Sequence, residues 1–210
     1  MFPLDHPVRG RLNSWFFRAI DGYMDRKYGE LKRRLFAGAP KVVLELGPGP
    51  GANLRYFPSG TKIIAIEPNV RMHDALRRRA KSFGIDLDLR GLAGESLDLP
   101  SESVDFAFTS FVLCSVISPP SVVGEVRRVL RTGGKFACIE HVAAPANTAL
   151  ARLQRAIAPP WKWVFEGCEL SRDTESTLRS AGFRSVDVER LRLPTMFVPI
   201  RTQIAAVCTK

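Results

Sequence analysis

The chain has 210 residues, 45% of them hydrophobic and 25% charged, with a formal net charge of +10. Those proportions fit one folded α/β domain with a single core and exclude a disordered or membrane-embedded chain. Cys114, Cys138, Cys168 and Cys208 are widely spaced with no Cys-x-x-Cys pair, so the spacing signals neither a zinc site nor a disulfide framework, and the thiols read as reduced in a cytoplasmic protein.

The first ten residues include Asp5, His6 and Arg9 and no long apolar run, which argues against a secretory leader or a spanning helix. Residues 9–36 are predicted helical, with Leu12, Trp15, Phe16, Ile20, Tyr23, Leu31 and Leu35 mostly three or four apart and basic residues between them. Gly22 and Gly29 are the expected places for a break. Residues 1–40 therefore read as a helical cover or lid whose Trp15-Phe16-Phe17 stripe packs on the sheet or roofs a pocket, and residues 41–210 as the main domain. Its basic face allows weak contact with an anionic membrane surface. The positive charge is scattered over Arg26-Lys27, Lys32-Arg33-Arg34 and Arg77-Arg78-Arg79-Lys81, which suits solvated helix faces better than a nucleic-acid tract, so no nucleic-acid partner is expected.

Residues 42–51 organise the chain: the apolar run Val42-Val43-Leu44 leads through Glu45 and Leu46 to Gly47, Gly49 and Gly51. This is a strand buried on both faces that hands over through a tight turn to a helix. Glycine lets a ligand approach the backbone, and the N–H groups of Gly49, Gly51 and Ala52 are expected to point at its polar atoms. Gly47, Gly49 and Ala52 also satisfy the dinucleotide fingerprint, with Glu67 at a suitable distance for a ribose-binding acid. An acid at Glu45, however, attracts a cationic ligand and repels a pyrophosphate.

A second strand over 61–66 ends at Glu67-Pro68-Asn69, where the carboxylate can accept from both ribose hydroxyls. A helix over 70–83, a third strand over 86–89, the loop containing Gly94-Glu95-Ser96 and a fourth strand over 104–109 follow. Ser110 and the next six residues lie just past that strand's carboxyl end. Pro119-Pro120 opens a helix that the 131–134 glycine turn closes, and a fifth strand over 135–140 ends on Glu140-His141. His141 can face reacting atoms or be structural. Residues 142–170, which hold Trp161, Phe165 and Cys168, form a long connection of the kind that caps a substrate pocket. Ser171 is the expected cap of the next helix and Gly182 its end, before two strands over 184–191 and 200–208.

Glu45 with the Gly-x-Gly-x-Gly spacing resembles the first motif of class I S-adenosylmethionine-dependent methyltransferases. Leu113-Cys114-Ser115-Val116, Glu140-His141-Val142 and the run from Phe165 through Cys168 to Leu170 narrow the resemblance to the small methyltransferase-like thiol S-methyltransferases, from about residue 16 onward. The resemblance implies a Rossmann-like domain with a seven-stranded, mostly parallel sheet, an antiparallel last strand and helices on both faces. It implies a site that binds S-adenosyl-L-methionine through Glu45, Gly47, Gly49, Gly51, Glu67, Pro68, Gly94, Glu95, Ser96 and Ser110, with Glu95 accepting from the adenine amine. No metal is expected. It further implies a small-molecule acceptor, with a thiol first and an O- or C-methylated quinone-like compound second. RNA methylation and a silent cofactor-binding module rank below these. His141 is the catalytic candidate, Cys114, Trp161, Phe165 and Cys168 line the substrate pocket, and the protein is expected to be a monomer or homodimer. The animal members carry a hydrophobic N-terminal anchor, which is not expected here, and have Cys and Thr where Pro48 and Pro50 stand.

Overall fold

In the computed structural model, which describes residues 7–192 and 195–210, the predicted buried strand β1 (Val42–Leu46) lies near the middle of a seven-stranded sheet. β2 (Lys62–Ile66), β3 (Asp86–Arg90), β4 (Val104–Ser110) and β5 (Leu130–His141) run parallel to it, while β7 (Thr202–Thr209) is antiparallel to both β5 and β6 (Ser185–Arg192). The order is β3-β2-β1-β4-β5-β7-β6. The crossovers are α3 (Val70–Phe83) and α4 (Pro119–Val129), and α6 (Thr174–Ser180) precedes the closing hairpin.

Alternation along β1 divides the core between the two faces of the sheet. Leu44 and Leu46 join Val122, Val126 and Leu178 from α4 and α6, whereas Val43 joins Leu76 of α3 and a phenylalanine group on the other face. At the centre of that group Phe108 is fully buried, with the rings of Phe36 and Phe57 at 4.6 and 5.3 Å.

Several boundaries depart from the sequence expectation. The N-terminal helical stretch divides at Ile20 into α1 (Pro7–Ala19) and α2 (Asp21–Leu35), with Gly22 and Gly29 inside α2. Gly29 is buried there because α2 packs against the turn after β1: a Cβ would sit 3.0 Å from Asp25 Oδ1 and 3.5 Å from the Tyr56 hydroxyl. Asp21 anchors the same helix to Arg55 and, at 2.7 Å, to Arg79 of α3. Asp5 and His6 lie outside the described residues.

Asp173, not Ser171, caps α6, its Oδ1 accepting from Ser176 N–H at 3.0 Å. The chain just before this cap is held back against the sheet, where Arg172 O accepts from Ala143 N–H. β5 also starts earlier than expected: Leu130 pairs with Val104 and Lys135 with Phe106, so the glycine turn bulges out between two paired positions. The 142–170 connection is largely α5 (Ala149–Val164), which contains Pro159 and Pro160. Among the described residues no helix is long and apolar enough to cross a membrane.

Phe108→Ala should remove about 3–5 kcal/mol of stability, read as a lowered urea midpoint, because the surrounding rings cannot collapse into the space left behind.

Candidate functional site

A cavity of about 310 Å³ opens over the carboxyl ends of β1, β2, β4 and β5, where open α/β sheets place their ligands. Its lining includes Gly47, Gly49, Glu67, Pro68, Gly94, Glu95 and Ser110 as well as Cys114, His141, Trp161, Phe165 and Cys168. Phe16, Phe17, Ile20 and Met24 of the N-terminal segment face the same space. Phe16 rests on Phe165 and Phe197 at 5.7 and 5.8 Å, and Asn13 Nδ2 donates to Val164 O at 3.0 Å, tying α1 to α5.

Three of the expected cofactor residues do not reach the cavity surface. Ser96 is not part of its lining. Gly51 belongs to the turn's inner side, where a Cβ would meet Leu54 and Leu76 at 3.0 Å. Glu45 is only 1% exposed and sits behind the turn, its Oε1 accepting from Asn53 Nδ2 at 2.7 Å, while Asn53 Oδ1 accepts from Lys32 Nζ at 2.7 Å. Burial pushes the Glu45 carboxyl up to about 7, against the lowering effects of Asn53 and Lys32. Burial likewise brings Lys32 down to about 8, with Glu45 opposing. Of the two charged groups, Lys32 lines the cavity and Glu45 does not.

The turn's N–H groups are also committed. Gly47 N–H donates to Ile66 O and Gly51 N–H to Pro48 O, both at 2.9 Å, and Gly49 N–H to Glu67 Oε2 at 2.9 Å. Gly47 has φ +63°, and a Cβ there would lie 2.5 Å from Val112 Cγ2, so only glycine holds the loop after β4 this close to the turn. Glu67 Oε1 accepts from Asn69 N–H at 2.9 Å, and burial raises this carboxyl above its usual range. Glu95 Oε1 accepts from the N–H groups of Ile117 and Ser118 at 2.9 and 3.3 Å, so this oxygen braces a loop.

Glu140, which the sequence marked only as the neighbour of His141, performs the same task after β4. Fully buried, its Oε1 accepts from Thr109 Oγ1 and from the N–H groups of Val112 and Leu113 at 3.0–3.1 Å. The available signal was a carboxylate inside an otherwise apolar strand, which has to be paired to be tolerated. Lys32 and Asn53 gave no such signal.

His141 Nε2 lies 3.1 Å from Cys168 Sγ, Trp161 Nε1–H donates to that sulfur at 3.2 Å, and Cys114 Sγ lies 3.7 Å from it. The indole can only donate, so Cys168 is the better place for negative charge and Cys114 the thiol that keeps its proton. The Cys114 bond and the His141 contacts hold Cys168 well below the ordinary thiol range against burial, while Cys114 is pushed up. The donor atoms of Cys114, His141 and Cys168 lie within 4.8 Å of one another, a soft set of the type that can also hold zinc or copper, which the spacing in sequence did not signal.

Residues 44–138 match the family model described as a methyltransferase domain. The human thiol S-methyltransferase TMT1B is 34% identical over 197 residues, covering 89% of this chain and 81% of the relative. Human thiol S-methyltransferase TMT1A is 33% identical, over 85% of this chain and 78% of its own length. The crystal structure of a SAM-dependent methyltransferase, a possible histamine N-methyltransferase from Thermotoga maritima, superposes with TM-score 0.68 at 20% identity, covering 97% of this chain and 98% of that one.

Because the folded Glu45 carboxyl binds its proton up to about pH 7 rather than 4.5, the native state holds more protons than the unfolded state between those values and stability falls as pH rises through them. Glu45→Gln keeps the acceptor for Asn53 and should flatten that fall, measured as the change in urea midpoint across the interval in variant and wild type.

Proposed function

Because the chain belongs to the class I S-adenosylmethionine-dependent methyltransferases, in the family of TMT1A and TMT1B, we propose that it transfers the methyl group to the sulfur of a small-molecule thiol. The observation that carries this reading is a cavity lined both by a carboxylate-braced glycine turn and by a cluster of two thiols and an imidazole.

The residues present suit the cofactor. Each Glu67 oxygen spends one lone pair on a backbone N–H, which leaves capacity for two ribose hydroxyls. Lys32 Nζ is placed to meet a carboxylate, and Gly94, Glu95 and Ser110 form the wall on which an adenine would lie. S-adenosylmethionine, when bound, supplies an electrophilic methyl carbon on a sulfonium. What remains for the chain is to align the acceptor, exclude water and manage the acceptor's proton. Phe16, Phe17, Ile20 and Phe165 give the acceptor an apolar enclosure. Alkyl thiols are weakly ionised at neutral pH although their thiolates are strong nucleophiles, so His141, buried at the cavity wall beside Cys168, is assigned to handle that proton.

An O- or C-methylated phenol or quinol is the competing acceptor, since the apolar enclosure would receive it equally well. Incubation with labelled S-adenosylmethionine and matched alkyl thiols and phenols separates the two: methyl thioethers are expected, and methylation of the phenols alone would exclude the thiol assignment. His141→Ala should lower kcat on an alkyl thiol by about 100-fold across neutral pH while leaving S-adenosylhomocysteine affinity within about twofold. Unchanged turnover would remove His141 from the chemistry.

A further inference from the structure

Resting on the thiol reading above, we propose that Cys114, His141 and Cys168 form a zinc site with one position left open to the cavity, where the sulfur of the acceptor binds as a thiolate. All three residues are buried with their donor atoms within 4.8 Å of one another, and among the described residues no other three Cys, His, Asp or Glu side chains converge in this way. Around a tetrahedral zinc ion two cysteine sulfurs stand about 3.8 Å apart, and a sulfur and an imidazole nitrogen about 3.6 Å apart. The Cys114 and Cys168 sulfurs, at 3.7 Å, already span the first of these edges. His141 Nε2, 3.1 Å from Cys168 Sγ, has to withdraw by about half an ångström to span the second. Two thiolates and an imidazole suit zinc, which has no redox chemistry to turn on a thiol substrate.

The three ligands come from segments that are fixed without the ion. His141 ends β5, where it pairs with Gln203 of β7. Glu140 Oε1 holds the loop that carries Cys114 through the N–H groups of Val112 and Leu113. Cys168 follows a turn in which Glu166 and Gly167 take φ +48° and +99°, a conformation that costs energy at the non-glycine residue. Cys114 O then accepts from Glu169 N–H at 2.8 Å, clamping the two cysteine-bearing loops together. Trp161 Nε1–H, donating to Cys168 Sγ at 3.2 Å, orients that sulfur from outside the set. All three ligands line the cavity, and among the described residues no fourth side chain of ligating type joins them. Three protein ligands and one free position are the pattern of catalytic rather than structural zinc.

A thiol that coordinates the ion is deprotonated, so the acceptor's S–H bond breaks on binding, its proton passes to water and the electron pair stays on sulfur. That pair forms the new S–CH3 bond while the bond from the methyl carbon to the sulfonium breaks, its electrons remaining on the sulfur of S-adenosylhomocysteine. The methyl thioether is uncharged and a weaker ligand, so it leaves the ion to the next thiol. The role given to His141 above is exercised through the ion that it ligates, and Cys114 loses its own proton when the ion enters.

Metal analysis and cobalt spectroscopy on the full-length chain, made without a polyhistidine tag, test the site. About one zinc per chain is expected, falling at least tenfold in Cys114→Ala and Cys168→Ala and unchanged in Cys138→Ala, a buried cysteine of β5 outside the set. With cobalt(II) in place of zinc in the unmutated chain, the thiolate charge-transfer absorption should grow by about half when benzyl thiol is added, as two thiolate ligands become three, and stay constant with benzyl alcohol. Removing the metal should lower kcat on benzyl thiol by about 100-fold, with zinc restoring it. A chain that takes up no zinc, or equal zinc in wild type and both cysteine variants, overturns the site. Full thiol methylation by the metal-free chain overturns the proposal and leaves the acceptor reading standing. Zinc held by the three residues, with a cobalt spectrum that no thiol alters and no thiol methylated, overturns the acceptor reading instead, and the binding of an acceptor sulfur at the ion falls with it.

Discussion

Buried carboxylates spent on loop backbone are the constraint from which the rest of the cavity follows. Glu67 at the end of β2 holds Gly49 and Asn69, Glu140 at the end of β5 holds Val112 and Leu113, and the half-buried Glu95 adds a similar brace on Ile117 and Ser118. Where parallel strands stop, the chain leaves the sheet with unpaired N–H groups and must either meet water or find acceptors. A carboxylate oxygen can satisfy two such donors at once, and bonds to a charged acceptor contribute about 1.5–3 kcal/mol each. The charge pays its desolvation through these bonds, so removing either side strands the other. The loops are thereby fixed before any ligand arrives, and a preformed site loses less ordering entropy on binding.

A second buried network ties the cover to this frame. Lys32 enters from α2, reaches Asn53 past the glycine turn, and through it senses Glu45 at the end of β1. Asp21, gripping Arg55 and Arg79, fixes the same helix from the side. The N-terminal helices therefore complete the electrostatics of the turn as well as covering it. An acid and a base brought out of water together each shift toward neutrality, which lets both survive in the interior with modest cost.

What the sequence made legible is what local pattern dictates. β1 and the Pro119 start of α4 emerge from an apolar run and paired prolines, because those signals act within a few residues. The ring of glycines, Glu67 and His141 likewise fell where strand ends had to bring them. That Glu45 lies behind the cavity wall was not legible because its partners are 8 residues away at Asn53 and, through Asn53, on a helix 21 residues from that asparagine. Ser171 looked like a cap because serine is a good one, but the pairing of Arg172 with Ala143 sets where the helix can begin. The sulfur cluster was invisible for the same reason: Cys114 and Cys168 are 54 residues apart, and only the loops' clamp makes them neighbours.

The two parts of the cavity differ in how they are built, and the difference bears on specificity. The part proposed to take the cofactor comes from the carboxyl ends of adjoining strands β1, β2 and β4 with their braced loops, where a change in one residue disturbs hydrogen bonds in the next. The part proposed to take the acceptor draws Phe16 from α1, Trp161 from α5, Phe165 and Cys168 from the turn after it, and His141 from the last residue of β5. These pieces meet through ring contacts and a few hydrogen bonds rather than through the sheet. Such contacts repack at small cost compared with a braced carboxylate. The enclosure can therefore be reshaped for a different acceptor without touching the methyl-donor site, whereas Cys168 is held by three neighbours from three separate segments and cannot be exchanged without losing the feature they converge on.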